Sequence, residues 1–358
     1  MKAAFVHGGN IYDAGPPKDG WLDFSANINP LGLSAKVQAV LQQQLGEVVH
    51  YPDPQGRRLK RSLSDAYHVP ADHLVLGNGA AELFYVFFHT FRPSRVLIPV
   101  PSFSEYERAA LAAGLQVDYF PLQPQCDFIL DLPRLLAKLP QTDCVILGNP
   151  NNPTGNLLPR GVIEAIAAEA ARHEVWVLID ESFIDFRQDA ELYTAYDLLE
   201  KYERICFFHS LTKFYAIPGL RLGFGILRPQ QAALLDLHKD PWNVNLLAQL
   251  AGIAAVQDNV YQQKTYQLLA RETAFLFQGL MRFSGIRIFP STVNFILMDF
   301  ADRGLSAENI AAKMKEKGIL IRDCSNYPGL GNTFVRIAIR SREENEKILQ
   351  AFAAILGA

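Results

Sequence analysis

Between about residues 72 and 228 the chain repeats one pattern: a short β-rich apolar run, a polar break, then apolar residues at helical spacing. The apolar runs predict strands over 73–76, 95–99, 115–120, 144–147, 175–179, 205–208 and 222–227. Amphipathic stretches at 80–91 and 159–173 predict helices between them. Such alternation argues for an α/β fold with a mainly parallel sheet covered by helices, whose sites gather at the carboxyl ends of the strands. After Pro241 the pattern changes. A long helical region over about 243–283, broken near Asn259, is followed by strands at 293–298, 319–322 and 334–339, a helix at 307–317 and a last helix from Glu343. This predicts a smaller α+β domain. The first 35 residues are rich in breakers (Gly8, Gly9, Gly15, Pro16, Pro17, Gly20, Pro30, Gly32) and too poor in periodic apolar residues for a core, so they are expected to lie as an arm on the rest. The expected division is 1–48 for the arm and the start of the small domain, 49–240 for the large domain and 241–358 for the C-terminal small domain.

Composition narrows the class. With 358 residues, 49% apolar and 20% charged, the chain can bury a sizeable core. A net charge of -3 gives no strong pull toward nucleic acid or anionic membrane. Cys126, Cys144, Cys206 and Cys324 are far apart with no CxxC pair, so neither a disulfide framework nor a metal site is indicated, and a reducing cytosol is the simplest location. Residues 1–7 hold too few apolar positions for a signal-peptide core. The longest apolar window, Leu246–Val256, is interrupted by Gln249 and is too short to span a bilayer.

The candidate chemistry centres on Ser210-Leu211-Thr212-Lys213, which continues through Pro218-Gly219-Leu220-Arg221 and follows an apolar strand. A lysine in a partly apolar pocket can lose its proton at neutral pH and form an imine with an aldehyde. Ser210, Thr212 and Arg221 make a suitable set for a phosphate dianion. A lone lysine after a strand is more often a solvated charge. Two further motifs tilt the balance. Asn149-Pro150-Asn151-Asn152-Pro153-Thr154-Gly155 follows one strand, where it also reads as a turn. Asp180-Glu181-Ser182-Phe183 closes another, where an acid also serves as a helix cap. Together they supply a lysine for the imine, an acid to keep a pyridine nitrogen protonated and an asparagine for a phenolic oxygen. Gly77-Asn78-Gly79-Ala80-Ala81 opens a helix, and free N–H groups at a helix N-terminus bind phosphate well.

These motifs resemble fold type I pyridoxal 5′-phosphate (PLP) enzymes, within the branch of histidinol-phosphate aminotransferases and threonine-phosphate decarboxylases, with matching order from Asn27 to Arg340. The resemblance implies Lys213 as the Schiff-base lysine, Asp180 at the pyridine nitrogen and Asn152 at the 3′ oxygen. It implies Ser210, Thr212, Arg221 and the Gly79-Ala80-Ala81 backbone at the phosphate, and Phe103 stacked on the ring, where a core phenylalanine is the alternative. Many aminotransferases of the group carry tyrosine where this chain has Phe183, so one hydrogen bond to the 3′ oxygen is missing. Tyr51, before Pro52-Asp53-Pro54, matches a tyrosine that reaches the neighbouring subunit's cofactor, which implies a homodimer with shared active sites; a turn-opening tyrosine is the alternative.

The substrate side lies at both ends of the chain. Arg336 and Arg340 are both even-numbered on one expected strand, so they are expected on one face, and two arginines there need anions or water. The resemblance assigns Arg336 to the substrate α-carboxylate and places His7, Asn27 and Arg322 near a substrate phosphate; a surface ion pair is the alternative for Arg322. His7-Gly8-Gly9-Asn10, Asp23 through Gly32, Phe183 through Phe186 and Asn326 through Leu330 are similar to the decarboxylase side of the branch. This implies decarboxylation of L-threonine O-3-phosphate to 1-amino-2-propanol O-2-phosphate, a linker precursor of cobalamin. Histidinol-phosphate transamination is the second reading, and a non-catalytic PLP-fold binding module the third, disfavoured by the intact Lys213, Asp180 and Asn152.

Overall fold

The computed structural model describes residues 7–12 and 20–357; residues 1–6 and the Gly15-Pro16-Pro17 run of the expected arm lie outside the described residues. A first strand, β1 (Leu22–Asp23), precedes a seven-stranded sheet built from β2 (Leu74–Gly77), β3 (Arg95–Val100), β4 (Gln116–Pro121), β5 (Cys144–Gly148), β6 (Trp176–Asp180), β7 (Ile205–Ser210) and β8 (Gly223–Ile226). The order is β2-β8-β7-β6-β5-β3-β4, and β8 runs antiparallel to both neighbours while the other pairs are parallel. The reversal of β8 follows from its connection. Residues 211–222 contain only the short turn Pro218–Leu220 in place of a crossover helix, and a parallel return needs such a crossover.

The apolar runs are continuous because the sheet is covered on both faces. Val75, Ile98, Ile146, Leu178 and Phe208 point to one side, where the helix Ala80–Phe91 buries Leu83, Phe84, Phe87 and Phe88. Leu76, Leu97, Leu147, Ile179 and Phe207 point to the other, where the helix Arg160–Arg172 buries Ile163, Ile166, Ala167 and Ala170. Each set follows the period of its element, two along the strands and three to four along the helices.

The C-terminal part carries β9 (Arg287–Ile288), β10 (Phe295–Asp299), β11 (Ile319–Leu320), β12 (Arg322–Asp323) and β13 (Phe334–Ala338). The expected strand over 319–322 is two strands in different sheets. β11 pairs in parallel with β1, whereas β12 joins the antiparallel sheet β12-β13-β10-β9. The competing partner is the N-terminal segment: Phe24 donates its N–H to Leu320 O at 2.8 Å and accepts at its carbonyl from Ala338 N at 2.8 Å. The expected helical break near Asn259 falls between the helices Leu246–Val256 and Asn259–Leu280, where the Asp258 carboxylate accepts from Tyr261 N at 3.2 Å. Among the described residues no helix is long and apolar enough to cross a membrane.

Phe24 is fully buried, and its removal leaves a cavity under the segment that leads into the pocket described below. Phe24→Ala is expected to lower the unfolding free energy by about 3–5 kcal/mol, read as a lower urea midpoint at unchanged m-value.

Candidate active site

The carboxyl ends of β5, β6 and β7 and the junction between β2 and the helix Ala80–Phe91 converge on a pocket of about 420 Å³. Its floor holds the predicted pair. β6 ends on Asp180, and Lys213 follows β7 by three residues, with Asp180 and Phe208 in register across the two strands. Lys213 Nζ donates to Ser210 Oγ at 3.0 Å and lies over the Phe183 ring, 5.4 Å from its centroid. Burial pushes the Lys213 amine down to about 8; the Asp180 charge opposes this and the Arg221 charge adds to it. Asp180 Oδ2 accepts from Tyr106 OH at 2.6 Å and Oδ1 from Ser182 N at 2.9 Å.

Above the lysine is an anion cradle. Gly79 caps the helix Ala80–Phe91 at φ 80, so the N–H groups of Ala80 and Ala81 open onto the pocket beside Ser210, Thr212 and Arg221. The glycine is required twice: that φ strains any side chain, and an added Cβ would stand 2.3 Å from Arg221 Nη2. Ser210 Oγ and Thr212 Oγ1 lie 2.7 Å apart. The Asn-Pro-rich motif divides between the turn and the pocket. Asn149 Oδ1 accepts from Leu158 N and Asn151 Nδ2 donates to Thr154 Oγ1, which is turn chemistry, while Asn152 faces the pocket and accepts from Arg336 Nη1.

Arg336 is 4% exposed, donates Nη2 to Ser25 O at 2.9 Å, and leaves its buried Nε without a partner. Phe103, His7 and Asn27 also line the pocket, and Asn27 Oδ1 is buried without a partner. Two expectations, Arg340 and Arg322, end elsewhere. Arg340 does not reach the pocket: β13 stops at Ala338, so the same-face argument lapses, and Glu344 in the first turn of the last helix takes Arg340 Nη2 at 2.6 Å. Arg322 is buried one layer behind, donating to Asp323 O and Asn326 Oδ1, with its guanidinium over the ring of Tyr327, and it is Tyr327 that lines the pocket. Tyr51 is 79% exposed, lies outside its own chain's pocket and packs at a tilt on Trp242, with ring centroids 4.7 Å apart. Glu105, Tyr106 and Arg108 also belong to the site, and no motif points to them. They sit two, three and five residues past Phe103 on the helix Ser104–Ala112, a spacing that flags them once Phe103 is placed.

The model of the family "aminotransferase class I and II" matches residues 19–352. The chain belongs to this aminotransferase family. It is 36% identical over 357 residues to the threonine-phosphate decarboxylase of Salmonella typhimurium, covering 98% of this chain and 96% of that one. Among solved structures, the L-threonine-O-3-phosphate decarboxylase of Porphyromonas gingivalis superposes with a TM-score of 0.84 at 27% identity, covering 94% of this chain and 99% of that one. The histidinol-phosphate aminotransferase of Clostridium acetobutylicum superposes at 0.86 with 30% identity, covering 93% and 98%.

The pocket of this family member fits pyridoxal phosphate by its donor set. A buried carboxylate that already accepts two neutral hydrogen bonds faces a buried amine of depressed basicity, and the cradle offers a guanidinium, two hydroxyls and helix N-terminal amides to a dianion.

Two outcomes follow. Asp180 raises Lys213, so Asp180→Asn in the protein without cofactor lets the neutral amine appear at lower pH. The pH midpoint for modification of Lys213 by a small aldehyde is expected to lie below the wild-type value of about 8, read by mass spectrometry. Gly79→Ala pushes Arg221 out of the cradle and is expected to weaken binding of inorganic phosphate and of PLP about tenfold to a hundredfold, read by calorimetry.

Proposed function

We propose that this chain holds PLP on Lys213 and decarboxylates L-threonine O-3-phosphate to 1-amino-2-propanol O-2-phosphate, for the linker of cobalamin. The observation that carries the reading is that one pocket offers basic side chains for two substrate anions besides the cofactor's own. Arg336 lies beside Asn152, His7 and Arg108 lie at the mouth, and Arg221 belongs to the cradle. Threonine phosphate carries a carboxylate and a phosphate, whereas histidinol phosphate carries a phosphate and an imidazole. The 36% likeness to a threonine-phosphate decarboxylase over nearly the whole chain supports the same choice.

When bound, the cofactor supplies a protonated pyridine ring that draws electrons from the substrate α-carbon. Asp180 would hold the pyridine proton, and Tyr106 and Ser182 N hold Asp180 in place. Phe103 would pack against the ring, and Asn152 would reach its phenolic oxygen. Phe183 presents an apolar ring near Lys213, where a tyrosine would add a donor. Arg336 would orient the substrate carboxylate, and the direction of this clamp would select loss of CO₂ over loss of a proton. Lys213 Nζ would hold the proton that returns to the α-carbon.

The same proposal includes a homodimer and a pocket between a large unit over 49–240 and a small one over 241–358. Tyr51 sits in an exposed apolar patch with Leu45, Val48, Val49 and Trp242, of a kind that monomers rarely present to water.

With PLP and threonine phosphate but no 2-oxoacid, the wild-type protein is expected to release one CO₂ per product formed, and Lys213→Ala none. A strict requirement for 2-oxoglutarate would favour histidinol-phosphate transamination instead. Val48→Glu with Val49→Glu is expected to give a monomer by sedimentation with strongly reduced activity, because each site loses its neighbour's Tyr51; an equally active monomer excludes the shared site.

A further inference from the structure

His7 and Gly8 form a short strap at the pocket mouth, anchored on two sides. On one side Gly8 lies so close to Ser25 that an added Cβ would stand 2.1 Å from Ser25 O, and Gly9 N donates to Ser25 Oγ at 2.7 Å. Residues 23–25 are tied in turn to the C-terminal strands through β1 and Phe24. On the other side His7 Nε2 meets Glu105 Oε1 at 2.7 Å, with the imidazole 5.7 Å from the Phe103 ring. Glu105 belongs to the first turn of the helix Ser104–Ala112, on the large-sheet side. The strap therefore joins the two sides of the pocket through one carboxylate.

That carboxylate is oddly placed for a pocket meant for anions. Its side chain is 10% exposed and it lines the cavity. It is also the point at which the mouth's basic side chains are gathered: Oε1 takes His7 and, at 3.4 Å, Arg108 Nη1, while Oε2 accepts from Tyr85 OH at 3.2 Å. Burial works to raise the carboxyl, and the hydrogen bond and charge of His7, with Arg108 and Tyr85, outweigh it, so Glu105 is held below the usual carboxylate range. A bound anion that replaced Glu105 as the partner of His7 or Arg108 would strand this buried charge. An anion that binds beside them leaves the pairs intact and meets an imidazole and a guanidinium already aimed.

We propose that Glu105 is a positioning and specificity-determining residue, which holds His7 of the strap and Arg108 at the pocket mouth so that together they receive the terminal dianion of a phosphorylated amino-acid substrate. The proposal rests on the decarboxylase reading above and adds to it the residue that builds its second anion site. Glu105 touches no reacting atom; it acts through His7 and Arg108, as a second-layer carboxylate orients a ligating histidine.

The test uses the PLP-loaded protein and two ligands that cannot lose CO₂: 1-amino-2-propanol O-2-phosphate, and 1-amino-2-propanol without the phosphate. Calorimetric affinities are compared for wild type, Glu105→Ala, His7→Ala and the double variant. Glu105→Ala is expected to weaken the phosphorylated amine about tenfold and the phosphate-free amine less than about twofold. The double variant should lose little more than the larger single loss, because both changes remove one coupled element. Should Glu105→Ala fold poorly, Glu105→Gln keeps the shape and an acceptor but not the charge, and its loss should again be confined to the phosphorylated ligand. Equal losses for both ligands, no loss, or fully additive losses for Glu105 and His7 overturn the inference. A wild-type protein that prefers neither ligand overturns it as well. Failure of the underlying reading shows separately, as a wild-type enzyme that binds PLP yet releases no CO₂ from threonine phosphate.

Discussion

A lysine amine and an aspartate carboxylate face each other out of water at the end of two neighbouring strands, and the rest of the molecule is arranged to keep them there. Burial lowers Lys213 to about 8, and the Asp180 charge resists that shift. Neither group tolerates such a place without partners, so each has its own: Ser210 Oγ for the amine, Tyr106 OH and Ser182 N for the carboxylate. The pairing depends on register. Successive residues of a strand face opposite sides, and Glu181, next to Asp180, points away to a fully buried contact with His209 and Tyr196. A slip of β6 by one residue would exchange these two acids and put the wrong one in the pocket. The apolar layers on both faces of the sheet, which fix that register, therefore also fix the chemistry.

The strands and their cofactor-facing ends were legible in the sequence because fully buried strands write themselves as short apolar runs, and the residues that follow them are turn formers with chemical side chains. Asn152, Asp180, Ser210, Thr212 and Lys213 all meet in one pocket, as their placement after strands implied. The reversal of β8 was not legible, since an apolar run has no direction and only the short 211–222 connection reveals it. Nor was the split of 319–322, where the choice between two partner strands is made by the distant Leu22–Asp23 segment.

Arg340 and Glu105 show the same limit at the level of side chains. Two arginines an even number of residues apart share a face only while the strand continues. Here the capping box of Ser341 and Glu344 starts a helix at Arg342 and turns Arg340 into a helix-end ion pair. Glu105 carries no motif. Its meaning depends on His7, 98 positions earlier in the chain, and a contact at that distance leaves no local trace.

Ser25 links the two proposed substrate-anion sites. Its carbonyl accepts from Arg336 Nη2, the group proposed to clamp the carboxylate, and its hydroxyl accepts from Gly9 N in the strap that carries His7. Arg336 is also held at Nη1 by Asn152, so two of its three nitrogens are oriented by protein before any substrate arrives, and a displacement of residues 23–25 would rotate the guanidinium. The direction of the carboxylate relative to the ring plane decides which bond at the α-carbon is weakened. On the proposed assignment, a strap drawn toward a bound phosphate would act on the segment that aims the carboxylate clamp. Recognition of the remote anion and choice of the bond to break would then be parts of one mechanical element, which is how binding energy far from the reacting carbon becomes useful at it.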